Sequence, residues 1–340
     1  MSTLKQNNFL FTVVIPTYNP SHYLLELLKS IEGNNCVSEI EVIISDDQST
    51  IDIPKMLIPF EDLNIKIIHN EEHFGGSSVG RQNGLDNASG TWITFADQDD
   101  AFATNVFDKL KRTINVKHYK NLIITNFYEI DNDYKILTDY VQTENFTHGK
   151  FYEKTFLKQN NIYFEKVKTC EDLIFSTKLK CTMIKNNIQA NYYDEYTYFW
   201  RKNDDSLSEG VEYFFNAFPE YIVGTLGKYL EEYKTIDNKK IKEQFDLMII
   251  DNIINLYFYY QYMEFALYEL PHIPKQYNEL TEKYIIEYLR LASISLEQLI
   301  NTILYEFIIE YAQIRTDFSH MLPFIESETF EQWILRMINI

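Results

Sequence analysis

The sequence predicts an α/β domain with a largely parallel sheet, followed by an all-helical region. From Phe11 to about Tyr198, short apolar runs rich in strand-forming residues alternate with segments of helical periodicity, which is the pattern of strand–helix–strand units. After Glu209 the strand pattern disappears, and apolar residues recur at helical spacing. We therefore divide the chain into a domain over residues 1–210 and a helical domain over residues 211–340.

In chain order, the first half reads as strand, turn and helix four times over. The predicted strands are TVVIP, IEVIISDD, IKIIHN and WITFADQDD, and the segments that follow them include the helices HYLLELLKSI, SSVGRQNGLDNAS and NVFDKLKRTIN. The strands are almost continuously apolar, as expected where helices cover both faces of a sheet. The helices predicted for the second half are Tyr213–Tyr233, Lys239–Tyr268, Glu279–Ala292 and Leu296–Phe318.

Composition restricts the classes of function. The chain has 340 residues and a net charge of -19, so it lacks the basic surface that nonspecific nucleic-acid binding requires. Cys36, Cys170 and Cys181 show no metal-binding spacing and read as reduced structural thiols. No signal peptide is visible, and the most apolar stretch, Leu247–Met263, is too polar to span a membrane. We expect a cytoplasmic protein, with peripheral association at the inner face of the membrane left open.

The ends of the four predicted strands carry the candidate site, because ligands of open parallel sheets gather at the carboxyl ends of the strands. These ends read IPTYNP, SDDQST, HNEEHFGG and ADQDDAF. None of them is a glycine loop of the G-x-G-x-x-G or G-x-x-x-x-G-K-[ST] type, so a dinucleotide-binding protein or a P-loop protein loses its main support.

The DQDD stretch predicts a metal site. Asp97 and Asp99 stand two residues apart, which places both side chains on one side if the strand continues through them. Carboxylate oxygens in that arrangement suit Mg²⁺ or Mn²⁺ bridging a diphosphate. The alternative is an acidic turn that caps the next helix.

Two further features favour an anionic, nucleotide-like ligand. Arg81 lies near a predicted helix start, where its guanidinium and the positive helix end can face an anion; the alternative is a solvated surface arginine. Asp46 and Asp47 close a strand and offer acceptors for a base N–H and a ribose hydroxyl; the alternative is a helix cap or a turn.

Together, IPTYN, ISDDQST, the glycine-rich stretch with Arg81 and DQDD resemble, in this order, the inverting family 2 glycosyltransferases with a GT-A fold. The resemblance implies a metal-dependent hexosyl- or N-acetylhexosaminyltransferase that uses a nucleotide-diphosphate sugar, most often a UDP-sugar, with Mn²⁺ or Mg²⁺. The implied acceptor is a hydroxyl of a bacterial surface glycan: capsule, teichoic acid or lipid-linked oligosaccharide, with glycoprotein as an alternative. It places Pro16 and Tyr18 beside the base and adds Asn70 to the donor site.

Downstream, His148–Leu179 is similar to the acceptor-side segment of bacterial members of the family, in which a Glu-Asp pair precedes a helix. The resemblance makes Asp172 the general base and Glu171 its neighbour in the site. Without the resemblance, the sequence favours reading Asp172 as a carboxylate that stabilises a helix N-terminus. We keep His148 as a secondary candidate for the acceptor site.

The stretch YFWRKNDDSLS looks like the closing element of the family, whose arginine and serine reach the donor diphosphate. It implies that role for Arg201 and Ser206, with Ser208 as a further candidate. The resemblance covers roughly residues 9–208. One departure is that relatives have Ala-Arg-Asn where this chain has Gly-Arg-Gln-Asn, which leaves the contact of Asn83 open.

A single base with no placed nucleophile favours one displacement with inversion at the anomeric carbon. A sugar nucleotidylyltransferase would show a glycine- and arginine-rich loop where this chain has PTYNP, whereas a noncatalytic glycan- or nucleotide-binding module remains an alternative. In the helical half, Leu256–Tyr260 with Tyr262 and Phe265 reads as glycan-stacking rings, as a homo-oligomer interface or as a helix buried on several faces.

Overall fold

The computed structural model describes residues 9–144, 146–168, 170–202, 211–261, 275–303, 308 and 328–338. The chain forms two compact units, Met1–Glu209 and Gly210–Ile340. Ser206 and Ser208 fall outside the described residues, as do Tyr262 and Phe265 of the aromatic stretch.

A single mixed sheet of nine strands organises the described part of the first unit. The strands, in chain order, are Phe11–Thr17 (β1), Ile40–Asp46 (β2), Asn64–His69 (β3), Trp92–Phe95 (β4), Ala101–Phe102 (β5), Leu122–Ile130 (β6), Ile136–Tyr140 (β7), Lys150–Glu153 (β8) and Asn191–Arg201 (β9). Their order across the sheet is β3-β2-β1-β4-β8-β6-β9-β5, and β7 pairs with β6.

The predicted α/β class is confirmed, with a sheet that is parallel in its first half and mixed in its second. Strands β1 to β4 pair in parallel, and β6 pairs in parallel with β9. Strand β8 enters antiparallel between β4 and β6, while β5 and β7 also run antiparallel to their partners. The parallel pairs follow the strand–helix–strand rhythm of the sequence, since parallel neighbours need a crossover connection.

Helices cover both faces of this sheet. They are Tyr23–Glu32 (α1), Ile53–Met56 (α2), Ser77–Asn87 (α3), Val106–Lys117 (α4), Lys154–Gln159 (α5) and Glu171–Lys185 (α6). In β1, Val13 and Ile15 face one core cluster with α1 and α4, whereas Val14 faces a second cluster with α5 and α6. This alternation explains why the strand is apolar at every one of these positions.

One edge of the sheet collects the candidate residues. Strands β1, β2, β4, β6 and β9 all point the same way, because β8 runs antiparallel to both β4 and β6. Their carboxyl ends, together with the start of β8, therefore lie along one edge, which we call the carboxyl edge. Tyr18, Asp46–Asp47, Asp97–Asp100 and Arg201 lie at or just beyond strand ends there, and His148 and Lys150 lie at the start of β8.

The second unit is helical in its described residues. Its helices are Val211–Tyr233 (α7), Lys239–Gln261 (α8), Lys275–Ala292 (α9), Leu296–Thr302 (α10) and Phe330–Met337 (α11). Residues Leu256–Tyr260 of α8 are buried, and the rings of Tyr257 and Tyr260 contact Trp333 of α11. For these five residues the structure supports the buried-helix interpretation.

Two sequence expectations concern features outside the sheet. Cys36, Cys170 and Cys181 are all buried, and none of the three is part of a disulfide. Among the helices described, none combines the length and the apolar character needed to cross a lipid bilayer.

Candidate active site

Tyr18 forms the exposed rim of the site where β1 ends. The residue is 44% exposed, and its ring lies against the imidazole of His73, with the ring centroids 4.3 Å apart and the planes inclined by 31°. The backbone N–H of Tyr18 donates to Oε1 of Gln98 at 3.0 Å, and Nε2 of Gln98 donates back to the Tyr18 carbonyl at 3.1 Å. The predicted base-binding residue is thus fixed to the DQDD turn.

Asp46 and Asp47 hold the loop that follows β3. Asp46 accepts from Nδ1 of His69 at 2.9 Å. Asp47 accepts from the N–H groups of Phe74 and Gly75 at 3.0 and 2.9 Å. Burial acts to raise the pKa of Asp47, but these N–H groups, the Asn70 amide and His73 outweigh it and hold the pKa below its ordinary value. Contacts of the two aspartates with base and ribose remain predictions.

Asn70 lies under this loop and joins it to α3. It is buried, and its Nδ2 donates to Asp47 at 2.7 Å while its Oδ1 accepts from Nδ2 of Asn83 at 2.7 Å. Asn83, which stands one position later than the asparagine of the family pattern, therefore positions Asn70. Both sit between the Asp47 loop and the helix that carries Arg81.

Two glycines allow α3 to lie directly on β1. A Cβ built on Gly84 would stand 2.1 Å from Cγ1 of Val14, and one built on Gly80 would stand 2.9 Å from Cβ of Pro16. Neither position has room for a side chain without displacing the strand. This close approach brings Arg81, the residue after Gly80, into the carboxyl edge. Pro16, predicted to border the base, supports this helix from the strand.

Arg81 joins two carboxylates within the site. Its side chain is buried, and Nη2 donates to Oδ1 of Asp97 at 2.7 Å while Nη1 donates to Oε1 of Glu171. Burial acts to lower the pKa of Arg81, but Asp97, Glu171 and Asp172 raise it well above its ordinary value, so the guanidinium stays charged. Ser77 at the start of α3 also donates to Glu171. The anion expected at this helix start is therefore Glu171, and an Arg81 contact with a diphosphate remains a prediction.

The DQDD stretch is a turn and not the end of a strand. Strand β4 stops at Phe95, and the N–H of Asp100 donates to the carbonyl of Asp97 at 3.2 Å. The alternation of side chains along a strand, from which we expected Asp97 and Asp99 to converge, does not apply here; that reasoning was wrong because the backbone already turns at these residues. Asp97 is held instead by Arg81, with 36% of its side chain exposed.

Asp100, which the sequence argument did not single out, is the buried member of this turn. It accepts from the Tyr198 hydroxyl and, at 2.7 Å, from the N–H of Arg201. Burial raises the pKa of Asp100, and the charges of Asp99 and Asp97 raise it further. The feature of the sequence that could have indicated Asp100 is that DQDD contains a third acidic residue besides the two assigned to the metal.

The described residues hold no group of three or more His, Cys, Asp or Glu side chains arranged around a cation. Asp97 and Asp99 nevertheless fit Mg²⁺ or Mn²⁺ by their chemistry. Both are carboxylates at the exposed side of the turn, and such ions take few protein oxygens when phosphate oxygens and water complete the octahedron. Two carboxylates that both raise the pKa of a third also form a region of negative charge that favours a cation.

Glu171 and Asp172 begin α6 and have different environments. Glu171 is engaged by Arg81 and Ser77. The one hydrogen bond that the described part of the chain gives Asp172 is local, from the N–H of Leu173 at 2.8 Å. Burial first, and then the charge of Glu171, raise the pKa of Asp172 to about 7, with Arg81 opposing them. Asp172 is therefore a carboxylate that gains and loses a proton near neutral pH.

His148 lies against Tyr198, with ring centroids 5.4 Å apart and planes inclined by 11°. Burial lowers the pKa of His148 to about 3, so its imidazole is neutral. Two positions along, Lys150 is also buried, and burial lowers its pKa to about 7. Lys150 was not predicted as a site residue; its position two residues after His148 was the available signal.

Arg201 is enclosed by protein. Nε donates to the carbonyl of Asp99 at 2.8 Å and Nη2 donates to Glu26 at 2.9 Å. The guanidinium lies over the rings of Tyr23 and Tyr134, at 4.3 and 4.7 Å from their centroids. Arg201 thus holds the DQDD turn in place through its hydrogen bonds to Asp99 and Asp100. Its predicted contact with the donor diphosphate, like that of Ser206, remains a prediction.

Residues 12–170 match Glycosyl transferase family 2. The chain is 28% identical over 240 residues to the poly(ribitol-phosphate) beta-N-acetylglucosaminyltransferase TarS of Staphylococcus aureus, covering 65% of this chain and 41% of that protein. It is 28% identical over 221 residues to the minor teichoic acid biosynthesis protein GgaA of Bacillus subtilis, covering 58% of this chain and 49% of that protein. The chain thus spans about half the length of these relatives or less.

The solved structure of residues 1–349 of Staphylococcus aureus TarS with UDP-GlcNAc is similar with a TM-score of 0.66 and 21% sequence identity, covering 85% of this chain and 84% of that one. This similarity confirms the predicted GT-A fold followed by a helical region.

Proposed function

Residues 12–170 of this chain are a glycosyl transferase family 2 domain, and from that premise we propose that the protein is a metal-dependent, inverting glycosyltransferase of bacterial surface-glycan synthesis. The proposed donor is a nucleotide-diphosphate sugar, with UDP as the nucleotide, and the proposed acceptor is a hydroxyl group of a teichoic acid, capsule or lipid-linked glycan. The two relatives, a poly(ribitol-phosphate) beta-N-acetylglucosaminyltransferase and a minor teichoic acid biosynthesis protein, support this acceptor class. The reaction would take place in the cytoplasm or at the inner face of the membrane.

The observation that carries this proposal is the position and environment of Asp172. It lies at the carboxyl edge beside the Arg81–Asp97 pair, and its pKa is raised to about 7 by burial and by Glu171. A base is most effective when its pKa is close to the working pH. We assign Asp172 as the group that takes the proton from the acceptor hydroxyl while the oxygen attacks the anomeric carbon and the nucleoside diphosphate leaves.

Arg81 has a positioning role in this scheme. Its guanidinium is bonded to Asp97 on the donor side and to Glu171, the neighbour of the base, on the other side. Ser78 adds a second connection, because its hydroxyl donates to the carbonyl of Val167 at 2.6 Å and accepts from the N–H of the same residue at 3.2 Å. Helix α3 thereby fixes the distance between donor-binding turn and base.

Asp97 and Asp99 are the residues that would hold Mn²⁺ or Mg²⁺. A divalent cation bound there would neutralise charge on the diphosphate leaving group. The protein's own part is to orient Asp97, which the hydrogen bond from Arg81 does. In this proposal the side chains of Tyr18, His73 and Asp47 border the base and the ribose.

A thermal-shift screen tests the donor assignment. Nucleotide sugars are added to the full chain with Mn²⁺, and a ligand that binds the native state raises the midpoint of unfolding. We expect a UDP-sugar to give the largest shift, and a chelator or Asp99→Asn to remove most of it. The exposed Asp133→Asn, in the turn between β6 and β7, is the matched control and should leave the shift unchanged. No shift with any nucleotide sugar would contradict the proposal.

The helical unit has a separate proposed role, in acceptor docking or in homo-oligomerisation. Residues Leu256–Tyr260 are interior to the unit and so are not the contact surface. Measurement of the mass of the full chain in solution tests oligomerisation directly: a mass above that of one chain supports it, and a monomer at micromolar concentration leaves acceptor docking as the role.

A further inference from the structure

An aromatic cluster stands at the carboxyl edge on the far side of β4 from the predicted nucleotide site. Its partly exposed members are Tyr140, Phe146 and Trp200, which we call the aromatic wall. The centroids of Phe146 and Trp200 are 5.7 Å apart, and that of Tyr140 is 5.6 Å from Phe146 and 6.1 Å from Trp200. The three rings therefore contact one another and form one apolar cluster that is partly exposed. His148 lies against two of them, at 5.1 Å from Phe146 and 5.3 Å from Trp200.

The aromatic wall is connected to the DQDD turn through His148 and Tyr198. His148 stacks on Tyr198, whose hydroxyl donates to Asp100 and accepts from the N–H of Asp97 at 3.0 Å. Trp200 follows Tyr198 by two positions in β9, and alternation along the strand puts both on the same face. A molecule lying on the wall would therefore reach the DQDD turn at its inner end.

The order of strands assigns the two sides of the edge to different ligands. Strands β1, β2 and β3, which carry Tyr18, Asp47 and the loop with His73, lie on one side of β4. Strands β8, β6 and β9, which carry His148 and Trp200, lie on the other. A donor bound over the first group leaves the second group facing the anomeric carbon from the opposite side, which is where an acceptor must approach for inversion.

His148 supplies a polar group that the protein itself leaves unused. The residue is 6% exposed, and among the described residues its Nε2 has no hydrogen-bond partner. Buried polar atoms are almost always paired in native proteins, so this nitrogen, which lies just behind the partly exposed rings, requires a partner that the described residues do not supply, and a ligand hydroxyl or a water can be that partner. A neutral imidazole offers one donor and one acceptor nitrogen, which matches a sugar hydroxyl.

We propose that the aromatic wall, with His148 at its base, binds the terminal sugar ring of the acceptor. A pyranose has an apolar face of C–H groups and a rim of hydroxyls, so it can lie on the rings of Phe146 and Trp200 and turn one hydroxyl toward His148. The wall has no charged side chain among its three members, which favours a neutral ring over a phosphate at this position. This assignment rests on the proposed function, since it names the acceptor class of the same site.

Tryptophan fluorescence gives a direct test that needs no knowledge of the natural acceptor. The chain has three tryptophans: Trp92 and Trp333 are 2% and 0% exposed, and Trp200 is partly exposed. The full chain with Mn²⁺ and UDP is titrated with the methyl glycosides of glucose, galactose, N-acetylglucosamine and N-acetylgalactosamine, and with a ribitol-phosphate oligomer as the arm without a ring. We expect at least one glycoside to change the emission saturably, and Trp200→Phe to remove the change.

Kinetics with the same glycoside as acceptor supply the second readout. We expect Trp200→Ala to raise the KM for the glycoside about tenfold or more, with the KM for the donor and the rate of donor hydrolysis by water unchanged. Tyr192→Ala is the matched control, because Tyr192 is an exposed aromatic residue of the same strand at the opposite edge of the sheet. His148→Ala should weaken the glycoside in the same direction, and His148→Gln should restore part of the binding.

The outcomes separate this inference from the proposed function. If the chain binds UDP and hydrolyses a UDP-sugar, but no glycoside alters the emission or only the ribitol-phosphate arm does, the wall is not a sugar-ring site. An effect of Tyr192→Ala equal to that of Trp200→Ala would also overturn it. Failure to bind or turn over any nucleotide sugar would overturn the proposed function itself.

Discussion

The guanidinium of Arg81 donates to Oδ1 of Asp97 at 2.7 Å, from a side chain that is almost wholly buried. The same guanidinium donates to Glu171, the residue before the assigned base. One side chain thus links the residue expected to face the donor with the helix that carries Asp172. Loss of Arg81 should therefore affect both the DQDD turn and the start of α6.

Replacement of Arg81 by methionine should cost both stability and activity. The change leaves Asp97 and Glu171 without their shared partner, and breaking a buried ion pair from one side costs about 3–5 kcal/mol. We expect the free energy of unfolding, measured by urea denaturation, to fall by this order. The exposed Arg112→Met is the matched control and should change it little. Equal effects of the two variants would contradict the role given to Arg81.

The pH dependence of turnover should report Asp172. Because its pKa is raised to about 7, the carboxyl is protonated below that pH and cannot accept the proton of the acceptor. We expect kcat/KM to fall by about tenfold for each pH unit below 7 and to level off above it. Asp172→Asn should lower kcat by roughly 10²–10⁴ at pH 8 while the thermal shift with donor is kept. A profile that is flat from pH 5.5 to 9 would argue against this base.

Tyr18 should contribute to nucleotide affinity through its exposed ring. Stacking of a base on an aromatic side chain is worth ~1–3 kcal/mol, so Tyr18→Ala should weaken UDP binding by about tenfold or more. Isothermal titration calorimetry with UDP measures this loss. Tyr163→Ala removes another partly exposed tyrosine, which lies beneath Lys178, and serves as the control. Undiminished affinity in Tyr18→Ala would remove Tyr18 from the base site.

Two glycine substitutions should act in opposite directions. Gly84→Ala places a methyl group against Val14 where α3 meets β1, and overpacking of this kind costs about 1–3 kcal/mol. Gly224→Ala, in α7, meets no atom within 4 Å and should stabilise by up to about 1 kcal/mol, because alanine favours a helix more than glycine does. Urea denaturation of both variants checks the pair. A neutral Gly84→Ala would mean that α3 does not need this close approach.

Much of the architecture was accessible from the sequence because it rests on local patterns. The strands β1 to β4 and the helices α1 and α4 follow directly from the apolar pattern of the sequence and lie where that pattern placed them. Because the carboxyl ends of parallel strands lie along one edge of the sheet, the sequence also predicted that Tyr18, Asp47 and Asp97 lie at the same edge. The antiparallel insertion of β8 was not accessible, since four residues of strand carry no signal for their neighbours.

The detail of the site was less accessible because it depends on long-range contacts. Arg81 contacts Glu171, which lies 90 positions away in the chain, and the spacing rules for helices and strands do not predict a pair so far apart. The convergence expected for Asp97 and Asp99 relied on a strand that in fact ends at Phe95. The neighbours of His148 come from β6, β9 and the segment before β8, so its burial and its unpaired Nε2 appear only in the folded chain.

The central claim is that Asp172 activates a hydroxyl for a single displacement at the anomeric carbon. It is tested most directly by ¹H NMR of the sugar released by water, without other acceptor, from the α-linked UDP-sugar that gives the largest thermal shift. We expect the β anomer to appear first and then to equilibrate with the α anomer, and Asp172→Asn to release almost none. Initial release of the α anomer, or release by Asp172→Asn at the unmodified rate, would contradict the account.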